Sequence, residues 1–135
     1  MIQPNELRIG NWVKFIYTCM QVGHGTFEDC KKTNDTDAPF KYEPIPLTSE
    51  ILEKCGFKLN DDRDLKTRHP EDNLKYSLEV SEYQYIGVTN DDSWFVGGHH
   101  SNPFYGHYLR YDFKYLHQLQ NLYFALTNEE LIYKP

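Results

Sequence analysis

Apolar residues alternate with polar ones early in the chain, take up helical spacing near its middle, alternate again, and end in a longer helical stripe. Leu7 to Phe15 (LRIGNWVKF) reads as a strand with Ile9, Val13 and Phe15 apolar. Gly10-Asn11 interrupts its alternation as a bulge or tight bend would. Tyr17 to Val22 reads as a second short strand, closed by the turn residues Gly23-His24-Gly25. Glu28 to Lys41 is polar and aperiodic, the pattern of an exposed loop.

The middle helix is punctuated at both ends. Thr48 is an N-cap type, and Leu47 before it is placed to staple onto Leu52. Ile51, Leu52 and Cys55 form one apolar stripe. Gly56 supplies the left-handed residue past the end, with Phe57 next to fold back on Leu52.

Asn60 to Asn73 is again polar and reads as loop. Lys75 to Val88 and Ser93 to Gly97 are expected to be two strands, joined by the turn formers Thr89-Asn90-Asp91-Asp92. Tyr83 and Tyr85 give that hairpin one aromatic face. Gly97 to Gly106 is a glycine-bounded loop, and Tyr108 to Phe113 a further strand. Asp112 is then expected to cap a long helix with Tyr115, Leu119, Leu122 and Leu126 along one stripe. Thr127 and Glu130 read as a capping box that starts one more helical turn. Strands, a helix, strands and a terminal helix predict an α+β fold. The expectation is an antiparallel, partly curled β-sheet packed against a short middle helix and a longer C-terminal helix, in a single domain over residues 1–135.

Composition changes this picture in one respect. Only 39% of residues are hydrophobic and mean hydropathy is −0.71, yet 16% are aromatic: 11 Tyr, 8 Phe and 2 Trp. Each ring buries about 150–250 Å², so aromatic bulk replaces missing aliphatic bulk. The net charge of −6, with no clustered Lys or Arg, argues against duplex nucleic acid as a partner. No apolar run approaches the ~18 residues of a membrane span, and the N-terminus lacks a leader pattern. Cys19, Cys30 and Cys55 have no metal-like spacing, as expected of reduced thiols in a cytoplasm.

The residues with chemical reach are concentrated between Trp94 and Tyr111. Trp94, Tyr105 and Tyr108 offer aromatic faces, Arg110 a guanidinium, and His99 and His107 imidazoles. Such a set can stack and hold a nucleobase or phosphate without a conventional motif, or anchor a protein interface. These six are the candidate ligand- or partner-binding residues. Neighbouring His99 and His100 point to opposite sides of an extended chain, so only one of them could join His107 at a metal. A metal-dependent enzyme would therefore need a further ligand such as an Asp. No nucleophile–base pair, phosphate loop or dinucleotide fingerprint is present. No catalytic residue, metal site or cofactor is assigned.

Leu7 to Val13 (LRIGNWV), Pro44 to Phe57 (PIPLTSEILEKCGF) and Tyr115 to Leu131 (YLHQLQNLYFALTNEEL) together resemble a family of small uncharacterised proteins from phages and prophages of gut Bacteroidetes. The resemblance implies a mobile-element origin and a cytoplasmic setting, and transfers no activity. The expected function is a non-enzymatic phage accessory protein acting by binding, such as a counter-defence factor that sequesters a small nucleotide signal or a host protein. A virion structural or assembly component is the alternative beside the metal enzyme, and homo-oligomerisation stays open.

Overall fold

A computed structural model describes residues 2, 4–26, 28–29, 42–59, 74–82, 84–98 and 109–135. After a 3-10 turn at Pro4–Glu6 come β1 (Trp12–Phe15), β2 (Thr18–Gln21), β3 (Tyr42–Glu43) and α1 (Ser49–Lys54). They are followed by β4 (Lys58–Leu59), β5 (Leu74–Glu79), β6 (Gln84–Thr89), β7 (Trp94–Gly98), β8 (Leu109–Tyr111) and α2 (Leu116–Thr127). The fold is α+β with antiparallel pairing, as the element order predicts, but the strands form two sheets where one was expected. The chain divides into two compact units, each discontinuous in sequence. Met1–Thr48, Lys114–Leu131 and Pro135 form the first, and Ser49–Phe113 with Ile132–Lys134 the second.

In the first unit the sheet order is β2-β1-β3. Val13 is fully buried and packs with Ile2, Leu7, Val22 and Tyr42, while Phe15 and Met20 close the side of this core. Helix α2 is tied in by its backbone: Leu116 N–H donates to Ile45 O, and Leu47 N–H to Lys114 O, both at 2.9 Å.

Both ends of α2 depart from expectation. Asp112 lies three residues before the N-cap Tyr115, and Gln118 does the capping instead. Its Oε1 accepts the N–H groups of Lys114 (2.9 Å) and Tyr115 (3.1 Å). At the other end Asn128 takes the left-handed conformation (φ 57°) and donates its N–H to Phe124 O at 2.7 Å. Thr127 is thus the last helical residue and starts no new turn. Its hydroxyl donates back to Tyr123 O (2.8 Å), a bond open to any Thr within a final turn.

The second unit is a five-stranded meander, β4-β5-β6-β7-β8. The stretch Lys75 to Val88 is two strands rather than one. It reverses after Val80, whose N–H donates to Gln84 O, so that Leu78 faces Ile86 and Tyr76 faces Val88. Nothing in Val80-Ser81-Glu82 carries the Gly, Pro or Asn that marks most turns, which is why the alternation reads through it. The Thr89–Asp92 turn is as expected: Asp92 N–H donates to Thr89 O, and Thr89 N–H to Ser93 O. Helix α1 ends as its sequence predicts. Gly56 (φ 88°) lets its own N–H reach Glu53 O and the Phe57 N–H reach Leu52 O, both at 3.0 Å, which is the paired-bond C-terminal motif of a left-handed glycine. Lys54 pairs with Glu50 one turn away at 2.9 Å, and Tyr76 donates to Glu53.

Candidate functional site

The hairpin of the first unit has a base built for rigidity and a tip that is not. At the base, Arg8 to Asn11 form a tight turn, with Asn11 N–H on Arg8 O and Gly10 at φ 93° in its third position. Gly10 and Asn11 then face the single residue Val22. Gly10 N–H donates to Val22 O (2.9 Å), and Val22 N–H donates to Asn11 O (2.7 Å). This is a glycine-first bulge, the interruption the sequence predicts. Asn11 Oδ1 also accepts the Arg8 N–H at 2.7 Å.

Arg8 locks that turn from outside. Its guanidinium lies 4.0 Å over the Phe124 ring and pairs with both carboxylate oxygens of Glu130. A Cβ on Gly10 would sit 3.0 Å from the same carboxylate. Glu130, read from sequence as half of a capping box, is therefore a clamp on the LRIGNWV turn. The Leu7–Val13 and Tyr115–Leu131 stretches thus meet here, and Ile45 joins them through its bond to Leu116.

The tip is different in kind. Phe15 pairs with Thr18, so Ile16 and Tyr17 alone make the turn. Ile16 adopts φ 58°, a left-handed backbone that a β-branched residue rarely takes. It is 43% exposed, and Tyr17 is 94% exposed. Two-residue hairpin turns favour Gly, Asn or Asp for this backbone. Here a half-exposed isoleucine and an almost fully exposed tyrosine stand at a strained turn. Relief of the left-handed strain, about 1–2 kcal/mol, less glycine's entropic cost of about 0.5–1 kcal/mol, leaves a net gain. Ile16→Gly is accordingly expected to stabilise the first unit by roughly 0.5–1 kcal/mol, read as a higher urea midpoint.

The residues singled out from sequence fall elsewhere. Trp94 is 2% exposed, held edge-on between Phe57 (5.9 Å) and Phe113 (5.7 Å). It is a core residue of the second unit and has no free face for a ligand, which corrects its place among the binding residues. Arg110 contributes its backbone to β8 opposite Phe95. His99, Tyr105, His107 and Tyr108 lie outside the described residues, as does His100. Among the described residues no three His, Cys, Asp or Glu side chains come together as metal ligands. Cys55 is buried in the second unit, and desolvation pushes its thiol up to about 12, so it behaves as a small hydrophobe.

A histidine not weighed in the sequence reading is buried instead. His117 is 1% exposed on α2, and neither ring nitrogen has a hydrogen-bond partner among the described residues. It shares a helix face with Gln120, whose Oε1 accepts the Trp12 N–H (2.9 Å), and with Asn121, which donates to Glu6 O (2.9 Å). Burial holds the imidazole below its ordinary pKa, and the carboxylate of Glu6 opposes this more weakly. The folded chain therefore resists a proton that the unfolded chain accepts near pH 6.5. Stability is expected to fall as pH drops below that value, and to level off once the folded imidazole also titrates. His117→Leu should flatten the profile in that window, as measured by urea unfolding at a series of pH values.

The tip could have been found from the sequence. Ile16-Tyr17 stands between two strand-like runs, where turn-forming residues are expected. The chain matches no family model, no curated protein and no solved structure. No described helix is long and apolar enough to cross a membrane.

Proposed function

We propose that this chain acts by binding another protein rather than by chemistry, and that the β1–β2 hairpin is where it does so. The observation that carries this reading is the tip: a β-branched residue in left-handed backbone beside a tyrosine that is almost wholly in solvent. Strained backbone is retained where function requires it, and exposed tyrosines are favoured anchors of protein interfaces. The resemblance to small phage proteins supplies the setting, a phage or prophage accessory protein in a host cytoplasm. A counter-defence role against a host protein fits that setting. Sequestration of a small nucleotide is the weaker version, because burial of Trp94 removes its best stacking ring.

Affinity capture from host lysate tests the reading, with the wild-type chain and Tyr17→Ser compared. Tyr17 is too exposed for its loss to disturb the core, so circular dichroism should match. A stoichiometric protein, host-encoded or a second copy of the chain, should be retained by the wild type and depleted by the variant. Identical capture by both would contradict the reading.

A further inference from the structure

The edge of the first sheet carries this reading one step further, and it rests on the hairpin being a protein-contact element. Among the described residues, β2 pairs with β1 on one side only. Backbone groups alternate in direction along an antiparallel strand. Val22 bonds inward to Asn11, and Thr18 closes the two-residue turn with Phe15. The N–H and C=O groups of Cys19 and Gln21 therefore point outward, away from β1.

Natural sheets protect such an edge with Lys, Pro or a bulge. β2 has none of these. Its register with β1 is continuous from Trp12–Gln21 to Phe15–Thr18. Residues 15–23 contain no charged side chain, in a chain where 25% of residues are charged. We infer that β2 pairs with β2 of a second copy, antiparallel across a two-fold axis at Met20.

Three features favour that occupant. Cys19 falls opposite Gln21 of the second copy, and Gln21 opposite its Cys19, so the outward groups satisfy one another in two narrow pairs. A two-fold axis also sets each side chain near its own kind, where like charges would repel, and this run has no charge to repel. Finally, Tyr17 falls opposite Gly23 of the second copy. A Cβ added at Gly23 would meet nothing within 4 Å, so an aromatic ring has room to cover that backbone, as it does when paired with glycine elsewhere in sheets. Met20, half-buried against the core, would meet its own counterpart and join the two cores.

The paired surface is small, so dimerisation should be reversible, with dissociation on the order of 10 µM, as expected of interfaces below about 1,200 Å². Sedimentation of the full chain across about 1–300 µM should show a monomer–dimer equilibrium. Tyr17→Lys and Gln21→Lys, both at exposed positions, should weaken it at least tenfold. A covalent test fixes the register in a Cys19→Ser, Cys30→Ser background. Met20→Cys should form an interchain disulfide on mild oxidation, because opposed non-bonded residues lie about 4.5 Å apart at Cα. Thr18→Cys, roughly four residues or about 13 Å from its own copy, should not.

A wild-type chain that stays monomeric throughout would overturn self-pairing, as would equal cross-linking from both cysteine variants. A monomer whose Cys19 and Gln21 amides resist hydrogen exchange would mean that the edge is covered within one chain, which overturns it too. Monomeric protein with Tyr17-dependent capture of a host protein removes self-pairing and leaves the binding reading standing. Monomeric protein with no such capture removes both.

Discussion

Trp94→Ala should lower the stability of the second unit by about 3–5 kcal/mol, the usual cost of truncating a buried aromatic ring. Trp94 is almost completely enclosed, stands opposite Val88 on β6, and is gripped edge-to-face by Phe57 and Phe113. Phe113 in turn stacks on Tyr111 at 5.1 Å. The cavity would open at the centre of this aromatic group, where stiff neighbouring rings cannot collapse into it. Such pairs also add roughly 0.5–1.5 kcal/mol beyond buried area. Urea unfolding followed by near-ultraviolet circular dichroism of the remaining aromatic group would read the loss. A ligand-stacking Trp94 would behave differently, losing binding while the fold kept its stability.

The opposite operation is expected to be nearly as damaging at Gly97. Tyr85 lies directly across from it in the β6–β7 ladder, and its ring covers the Gly97 backbone so closely that a Cβ there would overlap the ring and its hydroxyl. Gly87, two residues along the same strand as Tyr85, would place a Cβ against Leu74 and the edge of that ring. The tyrosine is buried and cannot swing into solvent. Gly97→Ala should therefore cost about 1–3 kcal/mol, the range for overpacking a core. The paired change Gly97→Ala with Tyr85→Leu should recover part of it, which thermal unfolding of the two variants would resolve. The first glycine of the GGHH stretch is thus space for a ring.

Local chemistry was readable wherever it was self-contained. The α1 terminus at Gly56-Phe57, the Gly10-Asn11 bulge and the Thr89–Asp92 turn each depend on a few adjacent residues, and each stands where the sequence places it. Long-range partners were not readable in the same way. Glu130 has the spacing of a capping box, but Arg8, far away in sequence, holds it. Gln118 caps α2 where Asp112 was expected, because the helix is positioned by Ile45 and Leu47 rather than by its own best cap. The turn inside Lys75 to Val88 has no Gly, Pro or Asn, and cross-strand pairs such as Leu78 with Ile86 fix it. Both compact units join segments far apart in sequence, so no linker or change in composition marks their limits.

The candidate site shows the same division. Aromatic surplus drew attention to Trp94, whose role is packing. Tyr17 reads from sequence as the first residue of the second strand, and Ile16 falls between the two strands. What sets the tip apart is a mismatch between side chain and backbone, which the sequence marks only as missing turn formers and which the Phe15–Thr18 pair fixes as a two-residue loop.

Photo-cross-linking from that position is the most direct measurement. With benzoylphenylalanine replacing Tyr17 in the chain expressed in host cells, irradiation is predicted to give one discrete adduct. Its mass would equal that of two chains if β2 self-pairs, or of the chain plus one host protein otherwise. The same photoprobe at Ile132, another exposed apolar position, serves as the comparison. No adduct from position 17, or the same diffuse set from both positions, would contradict a hairpin whose exposed tip exists to meet another protein.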